Sequence, residues 1–207
     1  MASKLLLRYI KKEKEKKRMS NKVKFGINNV HIAILNEDAQ GNITYDTPVA
    51  VPGAVSLTGD PVGETTPFYA DNVKYYNSIS NQGYEGELEV AMLQNSVFTS
   101  VLGQTQDENG GILEKSSDKP KRFALLFEVD GDSQNRRTVY YDCTATRPSQ
   151  NAQTIEESKE PQTDTLSITM SPRNTDQKVK YTLEKTEENA AVFNAFFQSV
   201  YEGAASV

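Results

Sequence analysis

Apolar and polar residues alternate with a period of two along most of the chain from residue 23 onward. This alternation is typical of β-strands that bury one face. Turn-forming sequences at residues 38–42 and 130–133 interrupt it. We expect about eight to ten strands, in the range of a sandwich or barrel. The apolar positions of the six clearest segments are Val30, Ile32 and Ile34; Leu88, Val90 and Met92; Phe123, Leu125, Phe127 and Val129; Val139, Tyr141, Cys143 and Ala145; Leu166, Ile168 and Met170; and Val179, Tyr181 and Leu183.

The segment 123–129 differs from the others because its second face is also partly apolar. Ala124 and Leu126 lie between the large residues of the first face, and Glu128 follows them. A strand with two apolar faces is typical of a position that is covered on both sides. We therefore expect this segment to be a central strand.

Two segments have the periodicity of a helix. Residues 95–102 predict a short helix whose apolar stripe packs on a sheet, and Gly103 follows at the position of a C-terminal cap. Residues 187–202 predict a longer amphipathic helix, with Glu187 and Glu188 in the first turn, where negative charge suits the helix dipole. Its apolar positions are Val192, Phe193, Phe196, Phe197, Val200 and Tyr201.

Two stretches, residues 59–77 and 148–163, have no strong pattern. The first is rich in Thr, Pro, Tyr and Asp, and the second is polar and charged. Long loops in a compact domain are usually functional or disordered. Both stretches are therefore candidates for a functional role.

Charge divides the chain unevenly. Residues 1–18 carry eight Lys and Arg against two Glu, a net charge of +6, which leaves 15 basic and 26 acidic residues, or −11, for residues 19–207. The first segment is open to three interpretations: a basic arm, an amphipathic helix on a membrane surface, or a leader that precedes a natural start at Met19. We expect a leader at 1–18, a β domain at 19–185, and a helix and tail at 186–207. The acidic body argues against a protein that binds nucleic acid by neutralising phosphates.

The sequence offers little for catalysis or metal binding. His31 is the only histidine, which excludes a site with several histidine ligands. It alternates away from the Val30 face, so we expect it at the solvent or at an interface. Cys143 is the only cysteine, so no disulfide forms within the chain, and we expect a small buried residue there. We expect no catalytic, cofactor or metal site.

Three short motifs also favour ordinary structural roles. The Asp130 turn resembles a calcium loop only at its start, since Asn135 and Tyr141 stand where Gly and Glu are required. Residues 83–86 lack the lysine of a phosphate-binding loop. The Tyr pairs at 75–76 and 140–141 are expected to pack in the core or at an interface. No apolar run reaches about 18 residues, so we expect no membrane-spanning segment.

Six segments, in order along residues 22–175, resemble the phi13-type family of phage major tail proteins, the tail tube proteins of long-tailed bacteriophages. They are FGINNVH at 25–31, FYADN at 68–72, NQGYEGELE at 81–89, RFALLFE at 122–128, CTATRP at 143–148 and TDTLSITMSPR at 163–173. No single segment is diagnostic, but their order along the chain supports the resemblance.

The resemblance implies a mainly β fold, a tail-tube-type β-sandwich or barrel with one short packed helix, for which residues 95–102 are the candidate. It also implies a structural virion protein that is not an enzyme and needs no cofactor. Such subunits form hexameric rings that stack into the tail tube, through which DNA passes into the host. The implied partners are further copies of the chain and the tape measure, terminator and baseplate proteins. Assembly is expected in the host cytoplasm.

Two surface hypotheses follow from this resemblance. We expect the stretches 59–77 and 148–163 to contact neighbouring subunits or rings. The candidate contact residues in the first stretch are Thr65, Thr66, Phe68, Tyr69, Asp71 and Asn72. The charge of −11 on the body also predicts a net-negative channel, along which DNA slides without adhering.

Other functions remain as alternatives. A baseplate or tail-terminator protein with a related fold belongs to the same biology. A carbohydrate-binding β-sandwich is favoured by the ten tyrosines but weakened by the absence of tryptophan. An enzyme is the least favoured class, because its site would depend on His31 or on acidic pairs that the spacing does not single out.

Overall fold

The computed structural model of the chain describes residues 23–131, 134–150, 154 and 161–203. The predicted basic leader, residues 1–18, lies outside these ranges. The fold is mainly β, as predicted. The described strands are β1 (Lys24–Glu37), β2 (Ile43–Tyr45), β3 (Val49–Ala50), β4 (Ala54–Leu57), β5 (Asp60–Val62), β6 (Thr65–Ala70), β7 (Val73–Ile79), β8 (Gly83–Val90), β9 (Thr105–Gln106), β10 (Ile112–Leu113), β11 (Phe123–Gly131), β12 (Arg136–Ala145), β13 (Asp164–Met170) and β14 (Lys180–Glu184). The described helices are α1 (Asn95–Ser100) and α2 (Ala190–Ala195). The strands exceed the expected eight to ten mainly because several have only two or three residues.

Ten of these strands form one antiparallel sheet. Its path runs β2-β1-β11-β12-β13-β8-β4, and β14, β3 and β5 pair with β12, β1 and β8. The sheet curls, so that β4 near one end contacts β1 near the other. A curled sheet has an inner and an outer face, and each carries a separate apolar cluster here.

The inner cluster is the larger one and includes α1. Val97 of α1 and the two residues after the helix, Val101 and Leu102, are buried in it. Gly103 follows with a φ of 72°, the left-handed conformation expected of a C-terminal cap. The prediction of a short helix packed on a sheet is therefore confirmed.

Strand β11 is covered on both faces, as its two apolar patterns predict. Phe123 and Leu125 belong to the inner cluster, whereas Ala124 and Leu126 belong to the outer one. All four side chains are fully buried. The outer cluster is completed by Phe196, which lies just after α2.

Strand β12 contains an irregularity that the sequence pattern does not reveal. Tyr140 lies opposite Leu125, but Cys143 lies opposite Phe123, so β12 has one more residue than β11 between these pairs. An extra residue reverses the alternation of side chains. Val139 and Tyr141 therefore face the outer cluster, whereas Cys143 and Ala145 face the inner one. The prediction that these four residues share one face was wrong.

The second helix is shorter than its periodicity predicts. Helix α2 covers Ala190–Ala195, and the chain continues through turns to Gly203. Glu187 and Glu188 precede the helix, so their predicted place in its first turn was wrong. Asn189 instead stabilises the turn that precedes the helix, because its Oδ1 accepts a hydrogen bond from the Thr186 N–H at 2.8 Å. We call residues 186–203 the C-terminal segment; it covers the outer face of β1, β11 and β12.

Arg173 holds the end of the C-terminal segment against the body. Its guanidinium group is almost fully buried and donates hydrogen bonds to both Asp176 and Glu202. It also donates to the Tyr45 hydroxyl at 3.1 Å. Burial raises the pKa of Tyr45 to about 12, and the hydrogen bonds from Arg173 hold the pKa of Asp176 well below its ordinary value.

Candidate assembly surfaces

Strands β6 and β7 pair with each other and form a two-stranded sheet that is separate from the main sheet among the described strands. The two-residue turn between them is Asp71-Asn72, with φ values of 51° and 59°. Positive φ at both central positions is the geometry of a type I′ turn, whose twist matches that of the flanking strands. The unpatterned stretch 59–77 therefore contains regular structure that the alternation rule did not detect.

The hairpin exposes an unusual amount of apolar surface. Its large exposed side chains, with their exposed fractions, are Phe68 (61%), Tyr69 (62%), Val73 (59%), Tyr75 (75%) and Tyr76 (62%). An exposed group of this kind marks an interaction site more often than a single exposed apolar residue does. We refer to strands β6 and β7 with the turn between them, residues 65–79, as the aromatic hairpin.

The register places three of these residues on one face of the aromatic hairpin. Phe68 lies opposite Tyr76, and Ala70 lies opposite Val73. Side chains two residues apart on a strand share a face, so Phe68, Val73 and Tyr76 form one apolar surface. The register shifts between Phe68 and Tyr69, and Tyr75 is the extra residue of β7 that has no partner in β6.

Hydrogen bonds between the two ends of the hairpin close its base. Glu64 and Ser80 exchange backbone and side-chain hydrogen bonds, at 3.0 Å between the Ser80 N–H and the Glu64 carbonyl and 2.9 Å between the Glu64 N–H and the Ser80 hydroxyl. A Cβ on Gly63 would lie 2.1 Å from the Ser80 carbonyl oxygen, so this close approach requires glycine. Below this point β5 pairs with the first residues of β8, Gly83–Glu85. The hairpin thus extends from the N-terminal end of β8.

The structure brings all six predicted contact residues into the aromatic hairpin. Thr65, Thr66, Phe68 and Tyr69 lie on β6, and Asp71 and Asn72 form the turn. The six candidates include no residue of β7, although the stretch 59–77 covers Val73, Tyr75 and Tyr76, which are as exposed as the residues of β6. The signal available was the Asp71-Asn72 pair between two segments rich in β-formers. The second predicted stretch, 148–163, lies largely outside the described residues.

A second surface is the outer face of β8 and β13, which lies beside the area covered by the C-terminal segment. Glu85, Glu87 and Glu89 point outward from β8, opposite Thr169, Ser167 and Thr165 of β13. Glu89 accepts hydrogen bonds from the Thr163 and Ser56 hydroxyls, which lower the pKa of its carboxyl group. No ion pair in the described part of the chain involves Glu85 or Glu87. We call the three glutamates and three hydroxyl residues the acidic face.

His31 and Cys143 both have structural surroundings. His31 faces away from the inner cluster, as predicted, and stacks on Phe197 of the C-terminal segment with 4.6 Å between ring centres. Its Nδ1 lies 2.8 Å from the Asn29 carbonyl oxygen. Cys143 is fully buried, as predicted, and burial raises the pKa of its thiol. A buried thiol with a raised pKa is a poor nucleophile.

The remaining motifs are also accounted for by packing. Asp130 accepts a hydrogen bond from Asn28 at 2.8 Å, and Gly83-Tyr84 begins strand β8. Tyr140 and Tyr141 pack in the inner and outer clusters, as the packing interpretation predicts. Within the described ranges, no group of three or more His, Cys, Asp or Glu side chains is placed to hold a metal ion. Over the same ranges, no helix is long and apolar enough to cross a membrane.

Comparison with known proteins gives one family. The profile of a family described as phage tail tube protein matches residues 12–202, which is most of the chain. No curated protein matches.

Proposed function

The chain belongs to the phage tail tube protein family, and we propose that its copies close into hexameric rings that stack to form the tail tube. The aromatic hairpin is the observation that carries this proposal. An isolated two-stranded hairpin is marginally stable in water, and its unpaired strand edges favour pairing with another chain. A neighbouring copy that packed on the hairpin would stabilise it and would also cover its unpaired strand edges.

The contact residues follow from this role. Thr65, Thr66, Phe68 and Tyr69, with the turn residues Asp71 and Asn72, form the contact with a neighbouring subunit, and β7 contributes to it. Aromatic side chains are enriched in the buried centre of protein interfaces, whereas charged side chains are depleted there. The sequence from Thr65 to Ile79 contains only one acidic and one basic residue, Asp71 and Lys74, which suits burial. The stretch 148–163 contributes a further contact.

The acidic face is the best candidate for the channel wall. It is a sheet face of carboxylates and hydroxyls, and its free carboxylates Glu85 and Glu87 have no basic partner in the described residues. A protein holds DNA mainly by neutralising phosphates with Lys and Arg. A wall with negative charge instead repels the phosphates, so that DNA passes without specific binding.

The proposed role is structural and belongs to the virion. The subunit is assembled in the host cytoplasm and forms the conduit for DNA ejection. Its further partners are the tape measure, terminator and baseplate proteins, which meet the tube along its lumen and at its ends. Membership of a structural family and the buried state of Cys143 both favour this role over catalysis.

Electron microscopy of the purified chain tests the proposal. We expect long hollow cylinders with six-fold symmetry in end-on views. Rings that never lengthen would instead indicate a terminator or baseplate protein. A monomer that persists at high protein concentration would contradict the proposal, and glycan binding by that monomer would favour a carbohydrate-binding module.

A further inference from the structure

The turn between β9 and β10 contains the dipeptide Asn109-Gly110, and Asn109 is the only asparagine in the sequence that precedes a glycine. The Asp107 N–H donates to the Gly111 carbonyl at 2.9 Å, and the Gly110 N–H donates to the Asp107 carbonyl at 3.1 Å. Gly110 has a φ of 85°, as expected at the end of a three-residue hairpin loop. Glu108, Asn109 and Gly110 therefore form the loop itself.

The side chain of Asn109 is not held by the surrounding structure. Both Asn109 and Gly110 are exposed. Within the described part of the chain, the Asn109 side-chain amide makes no hydrogen bond. Other exposed asparagines differ in this respect, because the Asn42 amide donates to Asp38 at 2.8 Å and the Asn95 amide donates to the Gly110 carbonyl at 3.4 Å. The Asn109 amide is free to turn toward its own backbone.

The backbone nitrogen of Gly110 is the group that such an amide meets. The nitrogen of the residue after an asparagine closes a five-membered ring when it attacks the side-chain carbonyl carbon Cγ. Glycine hinders this approach least because it has no Cβ. The surroundings add no obstacle, since an atom at the Cβ position of Gly110 would meet only the Gln106 Nε2, at 3.8 Å.

The hydrogen bond from Gly110 to Asp107 must open before the nitrogen can react. Strands β9 and β10 have two residues each and, among the described strands, pair only with each other. A short two-stranded hairpin is marginally stable in water, and small exposed units open locally while the core stays folded. Local opening of this hairpin therefore frees the Gly110 nitrogen and leaves the main sheet intact.

We propose that Asn109 is a site of spontaneous deamidation, with water as the second reactant. A base from the solvent takes the Gly110 N–H proton, and the nitrogen attacks the Asn109 Cγ. The new N–Cγ bond forms, the Cγ–Nδ2 bond breaks, and Nδ2 takes a proton from water and leaves as ammonia. Water then opens the cyclic imide at either carbonyl, which gives aspartate or isoaspartate. No oxidant, reductant or enzyme takes part.

Both products alter the turn. Each adds a carboxylate next to Asp107 and Glu108, and isoaspartate also lengthens the backbone by one carbon atom. The Gly111 N–H donates to the Asp107 carboxylate at 2.7 Å, and Asn95 donates to the Gly110 carbonyl at 3.4 Å. Both bonds depend on the present length of the loop. We therefore expect isoaspartate to loosen the hairpin and its contact with the start of α1.

Mass spectrometry of the purified full chain tests the site. After incubation at mildly alkaline pH, we expect the mass gain of an amide that becomes an acid, and fragment ions should locate it at Asn109. The gain should appear faster as the pH rises, because the reaction begins with loss of the Gly110 amide proton. In water labelled with heavy oxygen, the product should carry one labelled oxygen from hydrolysis of the imide. The measurement needs no assembled tube, so its result is independent of the proposed function.

Asn174 provides an internal control in the same sample. It is also exposed, and its side-chain amide makes no hydrogen bond within the described ranges, but Thr175 follows it. We expect Asn174 to stay unchanged while Asn109 reacts. A gain at Asn174 as fast as at Asn109 would overturn the inference. An unchanged Asn109 in the folded chain, when a free peptide of residues 105–113 deamidates, would overturn it as well.

Two substitutions at the same position complete the test. Asn109→Gln should abolish the early mass gain, because its longer side chain would have to close a six-membered ring. Asn109→Asp carries the added charge without the added backbone atom. Hydrogen exchange at the Gly111 amide should be faster in the isoaspartate chain than in Asn109→Asp. Equal exchange in the two would contradict the loosening of the turn by the longer backbone, and an early gain that persists in Asn109→Gln would exclude Asn109 as the site.

Discussion

The guanidinium carbon of Arg137 lies 4.0 Å from the centre of the Phe193 ring, and the same group donates a hydrogen bond to the Phe193 carbonyl oxygen. Arg137 also donates from Nε to Glu128 at 2.6 Å, and both side chains are largely buried. One arginine therefore joins the centre of the sheet to the C-terminal segment.

Replacing Arg137 by Ala should strongly destabilise the chain. The change leaves the Glu128 carboxylate buried without its cationic partner and removes a contact to α2. Breaking one side of a buried ion pair costs about 3 to 5 kcal/mol. Urea unfolding followed by far-UV circular dichroism should show this loss as a lower midpoint.

The adjacent residue provides the control. Arg136 pairs with Glu184, and both side chains are about one-third exposed. An exposed pair contributes about 0 to 1 kcal/mol, so Arg136→Ala should lower the midpoint only slightly. Equal decreases in the urea midpoint of the two variants would show that burial does not determine how much the Arg137–Glu128 pair contributes to stability.

The contacts of Arg137 and Arg173 were not predicted from the sequence. Arg137 reaches Phe193, 56 positions away, and Arg173 reaches Tyr45, 128 positions away. Periodicity reports which face of a strand is buried but not which distant side chain meets it. It succeeded for β11, whose two apolar faces are visible in seven residues, and failed for β12, where one inserted residue reverses the faces.

The aromatic hairpin was missed by the alternation pattern for a different reason. Alternation arises when one face of a strand is buried, and the side chains of the aromatic hairpin whose burial the structure describes are largely exposed on both faces. Its residues were therefore found through the family resemblance and not through their pattern. The second helix was overestimated because Val200 and Tyr201 pack on the outer cluster from the non-helical segment that follows α2, although their spacing also fits a helix.

Replacing Phe68 and Tyr76 together by Ser should abolish tube formation and leave the monomer folded. The two side chains face each other across the hairpin and are more than half exposed, so their loss removes apolar contact area from the assembly and little from the body. Electron microscopy should show no cylinders, while the urea midpoint stays within the range of surface substitutions.

The control for this pair keeps its apolar area. Phe68→Leu with Tyr76→Phe removes one hydroxyl and reshapes one side chain, and tubes should still form. Tubes of normal length from the double Ser variant would contradict the role of the hairpin.

Reversing the charge of the acidic face should make the channel retain DNA. Glu85→Lys with Glu87→Lys places two cations on an exposed sheet face without breaking an ion pair in the described residues. Tubes should still form but should bind duplex DNA at low salt and release it as salt rises, since binding through phosphates weakens steeply with salt. Co-sedimentation of tubes with labelled DNA measures this.

The exposed residue Glu108 offers a charge reversal away from this face that matches the single change Glu85→Lys. Tubes that carry Glu108→Lys should not retain DNA in the channel. If both variants retain DNA to a similar extent, the position of the added charge does not matter. That result would contradict the proposal that the acidic face lines the channel.

Acid should weaken the contact between Arg173 and Asp176. The two hydrogen bonds that Arg173 donates, at 2.8 and 2.5 Å, hold the pKa of Asp176 well below its ordinary value. In the unfolded chain the carboxyl group has its ordinary pKa of about 3.9, so below that pH the unfolded state binds more protons than the folded state. The stabilisation is therefore present above about pH 4 and is lost as the pH falls further.

Asp176→Asn should remove this part of the acid sensitivity. At pH 7 the variant should unfold at a lower urea concentration than the wild type, because one of the two charged partners of Arg173 is gone. Below about pH 4 the two midpoints should converge. Glu108→Gln removes an exposed carboxylate and should follow the wild type throughout. Because Arg173 also binds Glu202 of the C-terminal segment, a constant difference between wild type and Asp176→Asn at every pH would indicate that the loss comes from packing and not from the ionised carboxylate.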